Sequence, residues 1–379
     1  MGCNQGSYKR LGDYIREVDV RNTDLKVTKL VGLTIAKAFI PSVANTIGTD
    51  LSKYKVIKEN QFACSLMQVS RDGKMPIAIY KGEDAIMSPA YPVFEVYKEG
   101  LHPDYLQMWF SRSEFDREAV FYAVGGVRGS LDWDDFMDMK LPIPSIAEQQ
   151  HIVDQYNAIK NRIENNKRII AKLEEAAQAL YRKMFVDGID VEHLPDGWRM
   201  GTLGEVVVMS QGIQVDVDCQ FVEAKEGYNR FIRIIDYTPN TEELPRYVDI
   251  QDKRYYCTKD DIVMIRYGDA GTVCRRLEGI IANNLFKIVP IDSRITNNFL
   301  YYFLSSKDIQ QSIKGSSASS TMPAITHNTI KELNLIIPDE DTALEFSKKV
   351  QVLENEILLI NKENNLLTKI LSPLMVGMG

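Results

Sequence analysis

Two stretches of this 379-residue chain make the same local move, and that move constrains the fold more than any other feature. LPIPSIAEQQHIVDQY (141–156) and LIIPDEDTALEFSKKV (335–350) each pass from a proline-punctuated segment into a long helical pattern. Pro144 and Pro338 stand 194 residues apart. So do Leu106 and Leu300, within the similar stretches PDYLQMWFS (103–111) and NNFLYYFLS (297–305). Leu11-Gly12-Asp13 and Leu203-Gly204-Glu205 are 192 apart, which a short insertion explains. The chain is therefore a two-copy repeat and not a solenoid, which needs three or more short units.

Each copy opens with an irregular, strand-rich part. Met75 to Tyr80, Tyr91 to Tyr97, Asp261 to Tyr267 and Gly279 to Val289 carry β-branched and aromatic residues between turn signals. A short helix is expected near Pro103 to Val120 in one copy and near Asn297 to Ile313 in the other. A long helix closes each copy. Ser145 and Glu148 form a capping box in which hydroxyl and carboxylate satisfy each other's free amides. Pro144 disfavours earlier helix, and Gly188 ends it.

Ile152, Tyr156, Ile159, Ile163, Asn166, Ile170, Leu173, Ala177, Leu180 and Met184 then follow at alternating steps of four and three. That spacing, about 3.5 residues on average, is a coiled-coil seam. Phe346, Val350, Leu353, Ile357, Ile360, Asn364, Leu367, Leu371, Leu374 and Met378 repeat it behind an Asp339 cap. Each seam needs an apolar partner, and the two are expected to pair with each other. An antiparallel pairing sets Ile163 against Leu367, Ile170 against Ile360, Leu173 against Ile357, and the lone polar seam residues Asn166 and Asn364 against each other. A hydrogen bond between those asparagines would fix the register. At about 1.5 Å per residue the seam from Ile152 to Met184 is a spacer of roughly 50 Å. The expected fold is α+β: two strand-rich α/β domains in tandem, separated by two long helices forming an antiparallel coiled coil. The boundaries are 1–144, 145–187 for the central helix, 188–338 with a short lead-in linker, and 339–379 for the C-terminal helix.

Familiar catalytic signatures are missing. No G-x-x-x-x-G-K-[ST] loop, strand-linked G-x-G-x-x-G, N-P-P-[FY] or H-E-x-x-H occurs, and His102, His151, His193 and His327 are far apart. Glu223-Ala-Lys225 with Asp216 or Asp218 upstream has the residue types of a nuclease cluster, but such triplets arise by chance. The five cysteines are odd in number and scattered, which fits a reducing cytoplasm better than disulfides or a zinc site. No run of 18 apolar residues marks a membrane span, and MGCNQGSYKR lacks the apolar core of a signal peptide. The net charge of −7 speaks mildly against nucleic-acid binding, although one basic face is compatible with it. A binding component without catalysis or metal of its own is the expectation.

The pattern resembles the specificity subunit of Type I restriction-modification systems, over essentially the whole chain. LPIPSIAEQQHI followed by LEEAAQALYRKMF is similar to that family's central conserved region, and LPDGWRMGTLGEV (194–206) to its lead-in to a second recognition domain. GYNRFIRIIDYT (227–238), DDIVMIRYGDAG (260–271) and ANNLFKI (282–288) resemble common segments of its recognition domains. GGVRGSLDWDDFMDMKLPIP (125–144) and SSASSTMPAITHNTIKELNLIIP (316–338) resemble the segments before its conserved helices. The second helix departs from the usual P-x-x-E-Q start, having Pro338-Asp-Glu-Asp-Thr342.

The resemblance implies a non-catalytic, cytoplasmic subunit whose two target recognition domains each read half of a bipartite, asymmetric sequence in double-stranded DNA. Two methyltransferase subunits would dock on the helices and bring S-adenosylmethionine to adenine N6. A separate translocase-endonuclease subunit, with ATP and magnesium, is compatible with it. This chain would hold no cofactor. A spacer of about 50 Å separates two readers by more than one DNA turn of roughly 34 Å, and a target adenine must leave the stack to be methylated. Rival readings are a plain scaffold built on the coiled coil, a fused restriction enzyme-methyltransferase, and a methylation-only specificity subunit.

Base readout favours Arg on guanine and Asn or Gln on adenine; backbone contacts favour Arg, Lys, Ser, Thr and Tyr. The candidates in the first copy are Gln68, Arg71 and Lys74 in MQVSRDGK, and Arg128 and Ser130 in GGVRGS. Those in the second are Arg230 and Arg233 flanking one strand, Arg266 and Tyr267 before the turn Gly268–Gly271, and Gln211, Ser320 and Thr321 in polar loops. A solvated surface residue or a structural ion pair is the plain alternative for each.

Overall fold

The computed structural model describes residues 8–42, 44, 48–67, 69–124, 129–238, 243–317 and 324–376. The chain divides into two compact units: residues 1–166 with 362–379, and residues 167–361. Both long helices, Ile146–Phe185 and Glu340–Val376, contribute to both units.

The repeat extends to sheet topology. In the first unit a four-stranded sheet has the order Ile15–Glu17, Val93–Val96, Phe62–Cys64, Ile77–Ile79. The second unit has Val207–Gln211, Leu285–Pro290, Ile262–Ile265, Val273–Cys274 in the same arrangement. A second sheet in the second unit runs Arg246–Val248, Asn229–Ile232, Gly279–Ile281, Tyr256–Cys257, with one parallel contact between Asn229–Ile232 and Gly279–Ile281. Its first-unit counterpart is reduced to two antiparallel pairs, Val31–Leu33 with Phe39–Pro41 and Lys55–Ile57 with Ala85–Met87. The parallel bridge Leu30–Ile86 links them. Each unit also pairs its first strand with the strand leading into its long helix: Tyr8–Arg10 with Lys140–Pro142, and Arg199–Thr202 with Asn334–Ile337.

The expected short helix is two helices in each copy. Pro103–Phe110 is followed by Ser113–Ala123, and Asn297–Leu304 by Lys307–Ser317. The break has a local cause: Arg112 is extended (φ −77°, ψ 145°), while the Ser111 hydroxyl donates to the Gln107 carbonyl and closes the first helix. The expected strand segment 279–289 is likewise two strands, Gly279–Ile281 and Leu285–Pro290, which belong to different sheets.

The capping box forms at the first long helix: Ser145 N donates to Glu148 Oε2 at 3.0 Å, and Glu148 N to Ser145 Oγ at 3.3 Å. In the second, Thr342 N donates to Asp339 Oδ1 at 2.9 Å, and this bond with the Thr342 hydroxyl holds the Asp339 carboxyl down at about 2. The buried positions are broader than a bare heptad seam. Tyr181 and Phe185 are 4% and 1% exposed, one step beyond Leu180 and Met184. Phe185 packs on Phe299 and Phe346, so this stretch of helix faces the second unit's core as well as the other helix. In the first unit Val153 and Leu374 join the core around Phe62, Phe94, Phe110 and Phe136. Burying each such aromatic contributes on the order of 1.5–3 kcal/mol.

Asn166, which is buried, donates through Nδ2 to Asn364 Oδ1 at 2.8 Å and to Glu363 Oε2 at 3.0 Å. Arg162 Nε donates to Glu363 Oε1 at 2.9 Å beside them. In the second unit Ala177, Tyr181 and Phe185 share a core with Phe346 and Val350.

Candidate nucleic-acid interface

In the second unit several segments converge on one tight turn, Ala282–Leu285, closed by Leu285 N donating to Ala282 O at 2.9 Å. The turn carries the chain from one four-stranded sheet to the other. Gly212 N donates to Leu285 O at 3.0 Å and Ile213 N to Ile281 O at 2.9 Å. Ala282 N donates to Ile232 O and Arg266 N to Asn284 O, both at 2.9 Å, and Ile325 N to Arg266 O at 3.1 Å. A Cβ on Gly212 would collide with the carbonyls of Ile281 and Ala282, so only glycine admits this approach.

This corner gathers four candidates. The Gln211 amide donates to the carbonyls of Asn283 and Leu285, and so braces the turn. Arg233 follows Ile232; its Nε donates to Asp236 Oδ2 at 3.0 Å and its Nη2 to Leu244 O at 3.1 Å. Arg266 lies 4.9 Å from the Tyr267 ring centre and, among the described residues, has no carboxylate partner. Arg230 sits further back on its strand, with Nη2 3.3 Å from Asp236 Oδ1. The Asp236 side chain is 3% exposed, so one buried carboxylate anchors two guanidiniums. The i, i+3 pair readable in NRFIRIID is Arg233–Asp236, and it holds Arg233 more closely than Asp236 holds Arg230, whose side chain is the more exposed of the two.

Two neighbours were not among the candidates. His327 packs edge-on against Phe286 at 4.8 Å; burial, then Arg266 and Lys331, push its pKa below the ordinary value. It therefore shares a positive neighbourhood with both. Asn283 is exposed at the tip of the turn. The signal for it was the Asn-Asn pair inside an apolar run, a turn marker that the β-branched flanks outweighed.

The first unit builds the same corner from other residues. Val18 N donates to Val93 O at 2.7 Å, Cys64 N to Pro92 O at 3.1 Å, and Leu131 N to Leu66 O at 2.9 Å. Val18 and Leu131 are each 194 residues before Gly212 and Ile325. Glu17 stands at the position of Gln211, paired at 3.4 Å with the buried Lys55, and the two backbone bonds of Arg266 are divided between the Cys64 amide and the Leu66 carbonyl, neither residue being cationic. Arg71 and, through the adjoining Gly129, Ser130 come together here, and Lys74 follows Arg71 by three residues. Gly129 (φ +71°) lies so close to Ser70 and the Arg71 amide that a side chain would strike Ser70 Oγ, which sets Ser130 against the helix Val69–Asp72. Arg71 Nε is 2.6 Å from Asp72 Oδ1 and largely exposed. Gln68, Arg128, Ser320 and Thr321 lie outside the described residues. Among the described residues no cluster of His, Cys, Asp and Glu could hold a metal ion, and no helix is long and apolar enough to cross a membrane.

Residues 35–175 and 195–369 match the Type I restriction modification DNA specificity domain, twice in tandem. The MjaIX Type I restriction enzyme specificity subunit of Methanocaldococcus jannaschii is 24% identical over 310 residues, 73% of this chain and 68% of that protein. The StySPI specificity subunit of Salmonella potsdam is 22% identical over 302 residues, 71% of this chain and 62% of that protein. The S subunit of the Type-I restriction-modification system from M. genitalium shares the fold, with a TM-score of 0.55 at 16% identity, covering 99% of this chain and 96% of that one. With most of its length accounted for by two matches to one family, the chain belongs to the Type I restriction-modification DNA specificity family.

Proposed function

We propose that this chain is a non-catalytic, cytoplasmic specificity subunit that reads a bipartite, asymmetric DNA target and positions two methyltransferase subunits on it, with a restriction subunit where one is present. The observation that carries this reading is one frame built twice with different chemistry at the same corner: Gln211, Gly212 and Arg266 in one unit, Glu17, Val18 and, in place of Arg266, Cys64 and Leu66 in the other. Two readers with different side chains at equivalent positions recognise different half-sites.

Residues 1–144 and 188–338 are the two recognition domains, and 145–187 and 339–379 the helices. Arg233, Arg266, Tyr267 and Gln211 face DNA in one domain, and Arg71, Lys74 and Ser130 in the other; Gln68, Arg128, Ser320, Thr321 and Arg230 complete the set. The helices pair as an antiparallel coiled coil that sets the gap between half-sites. The Asn166–Asn364 hydrogen bond and the Arg162–Glu363 pair support that register. Docking of a partner is supported by Leu344, Val352 and Leu359, large apolar residues left exposed on the C-terminal helix.

The test is adenine-methylation mapping in a host expressing this chain with a methyltransferase partner. A split motif that disappears without this chain is the expected result. A folded, partner-bound chain that yields no new motif would contradict the proposal.

A further inference from the structure

We infer that Asn283 is the base-reading residue of the second unit and that it recognises an adenine in one half of the target; this rests on the proposed DNA-reading function. Three observations single it out. First, the turn is rigid: backbone bonds from Gly212, Ile213, Ala282 and Arg266 hold it, together with the Gln211 amide. A fixed backbone sets where the reader's side chain starts, so that only its own two torsions are ordered on binding.

Second, the turn itself does not require asparagine. Asn60, at φ 65°, occupies the left-handed region that asparagine tolerates, whereas Asn283 and Asn284 have no positive φ. Third, the Asn283 side chain is exposed and, among the described residues, has no hydrogen-bond partner. Its carboxamide offers one donor and one acceptor side by side, the pair that adenine N7 and N6 accept in the major groove. Arg266 begins on a segment bonded to the turn, within reach of a flanking phosphate or a neighbouring guanine, whereas Arg233 on the other side is held by Asp236, Leu244 O and Glu243.

The corresponding corner of the first unit has no such residue. Its turn runs Ser88-Pro89-Ala90-Tyr91, with Ala90 N donating to Ser88 Oγ at 3.4 Å and Tyr91 N to Ser88 O at 3.2 Å. Glu17, at the position of Gln211, pairs with Lys55 and does not brace the turn with an amide. The amide reader therefore belongs to one half-site only.

Methylation maps of Asn283→Ala and Asn283→Ser, each expressed with the methyltransferase partner, test this. The expected result is a motif in which one adenine position of one half relaxes by roughly tenfold in selectivity, with the other half unchanged. A motif identical to wild type would overturn the inference, as would weaker methylation at every site with the motif intact, since that marks a backbone contact. The unchanged half is an internal control for folding. If the wild-type chain itself directs no split motif, the functional proposal fails, independently of Asn283.

Discussion

The two units share strand order and a 194-residue offset, yet they attach to their long helices by different chemistry. In the first, Gln149 is fully buried and neutral. Its Nε2 donates to Gly100 O at 2.7 Å and Pro144 O at 2.8 Å, and its Oε1 accepts from His102 N at 2.8 Å. The equivalent position in the second unit is Ala343, which cannot make those bonds. There the attachment is ionic. Glu354 on the C-terminal helix is 4% exposed and accepts from Arg275 Nη2 at 2.6 Å, Arg276 Nη2 at 2.8 Å and the Tyr302 hydroxyl. Arg275 lies 3.5 Å from the centre of the Tyr301 ring. Trp198 Nε1 adds a bond to Asp339 Oδ2 at 2.6 Å. A repeated frame thus tolerates opposite solutions at a joint, provided that every buried polar group is satisfied.

The largest effect is expected at the ionic joint. Glu354→Gln leaves two arginines facing a neutral amide and should destabilise the second unit by about 3–5 kcal/mol, read as an earlier denaturant transition. Gln149→Ala should cost the first unit about 2–3 kcal/mol by stranding one amide and two carbonyls. Equal losses from both would erase the distinction. Next comes Gly212→Ala, whose Cβ meets two carbonyls: about 1–3 kcal/mol of stability and weakened DNA binding. Val18→Gly, at the matching place in the first unit, should cost only about 0.5–1 kcal/mol.

Partner docking gives a smaller change in the isolated chain but a visible one in the complex. Val352→Glu with Leu359→Glu should leave folding intact by circular dichroism and abolish co-purification with the methyltransferase. Retained binding would place the docking face elsewhere.

The mildest perturbation is pH. Burial disfavours the Glu354 carboxylate, but Arg275, Tyr302 and Arg276 outweigh it and hold its pKa below the ordinary 4.5. Asp339 is likewise lowered from 3.8 to about 2. Stability from a depressed carboxyl is present above its unfolded value and disappears as pH falls through the folded one. Hydrogen exchange should therefore show the joint around Glu354 and Asp339 loosening below pH 4.5, and that around Gln149, which does not titrate, persisting further. Simultaneous opening of both would contradict this.

The repeat, the Ser145–Glu148 capping box, the Asp339 cap and the heptad spacing could be read from the chain because caps and heptads are local patterns. What escaped that reading depends on packing between distant segments. Nothing local marks Arg112 as the extended residue that breaks a helix, and the Asn283-Asn284 pair is a weak turn signal that does not reveal two strands parting into separate sheets. Tyr181 and Phe185 are buried because a core lies against them, not because a heptad places them. Nor does any local pattern show that the one buried carboxylate of Asp236 pairs with both Arg230 and Arg233.

The most direct test of two different readers on one frame is to compare the methylation motifs directed by the wild-type chain, by Arg71→Ala and by Arg266→Ala. The account predicts that each substitution weakens or relaxes a different half of one split motif, by about 1–3 kcal/mol of discrimination. If both altered the same half, or neither altered any position, the assignment of one half-site to each unit would be contradicted.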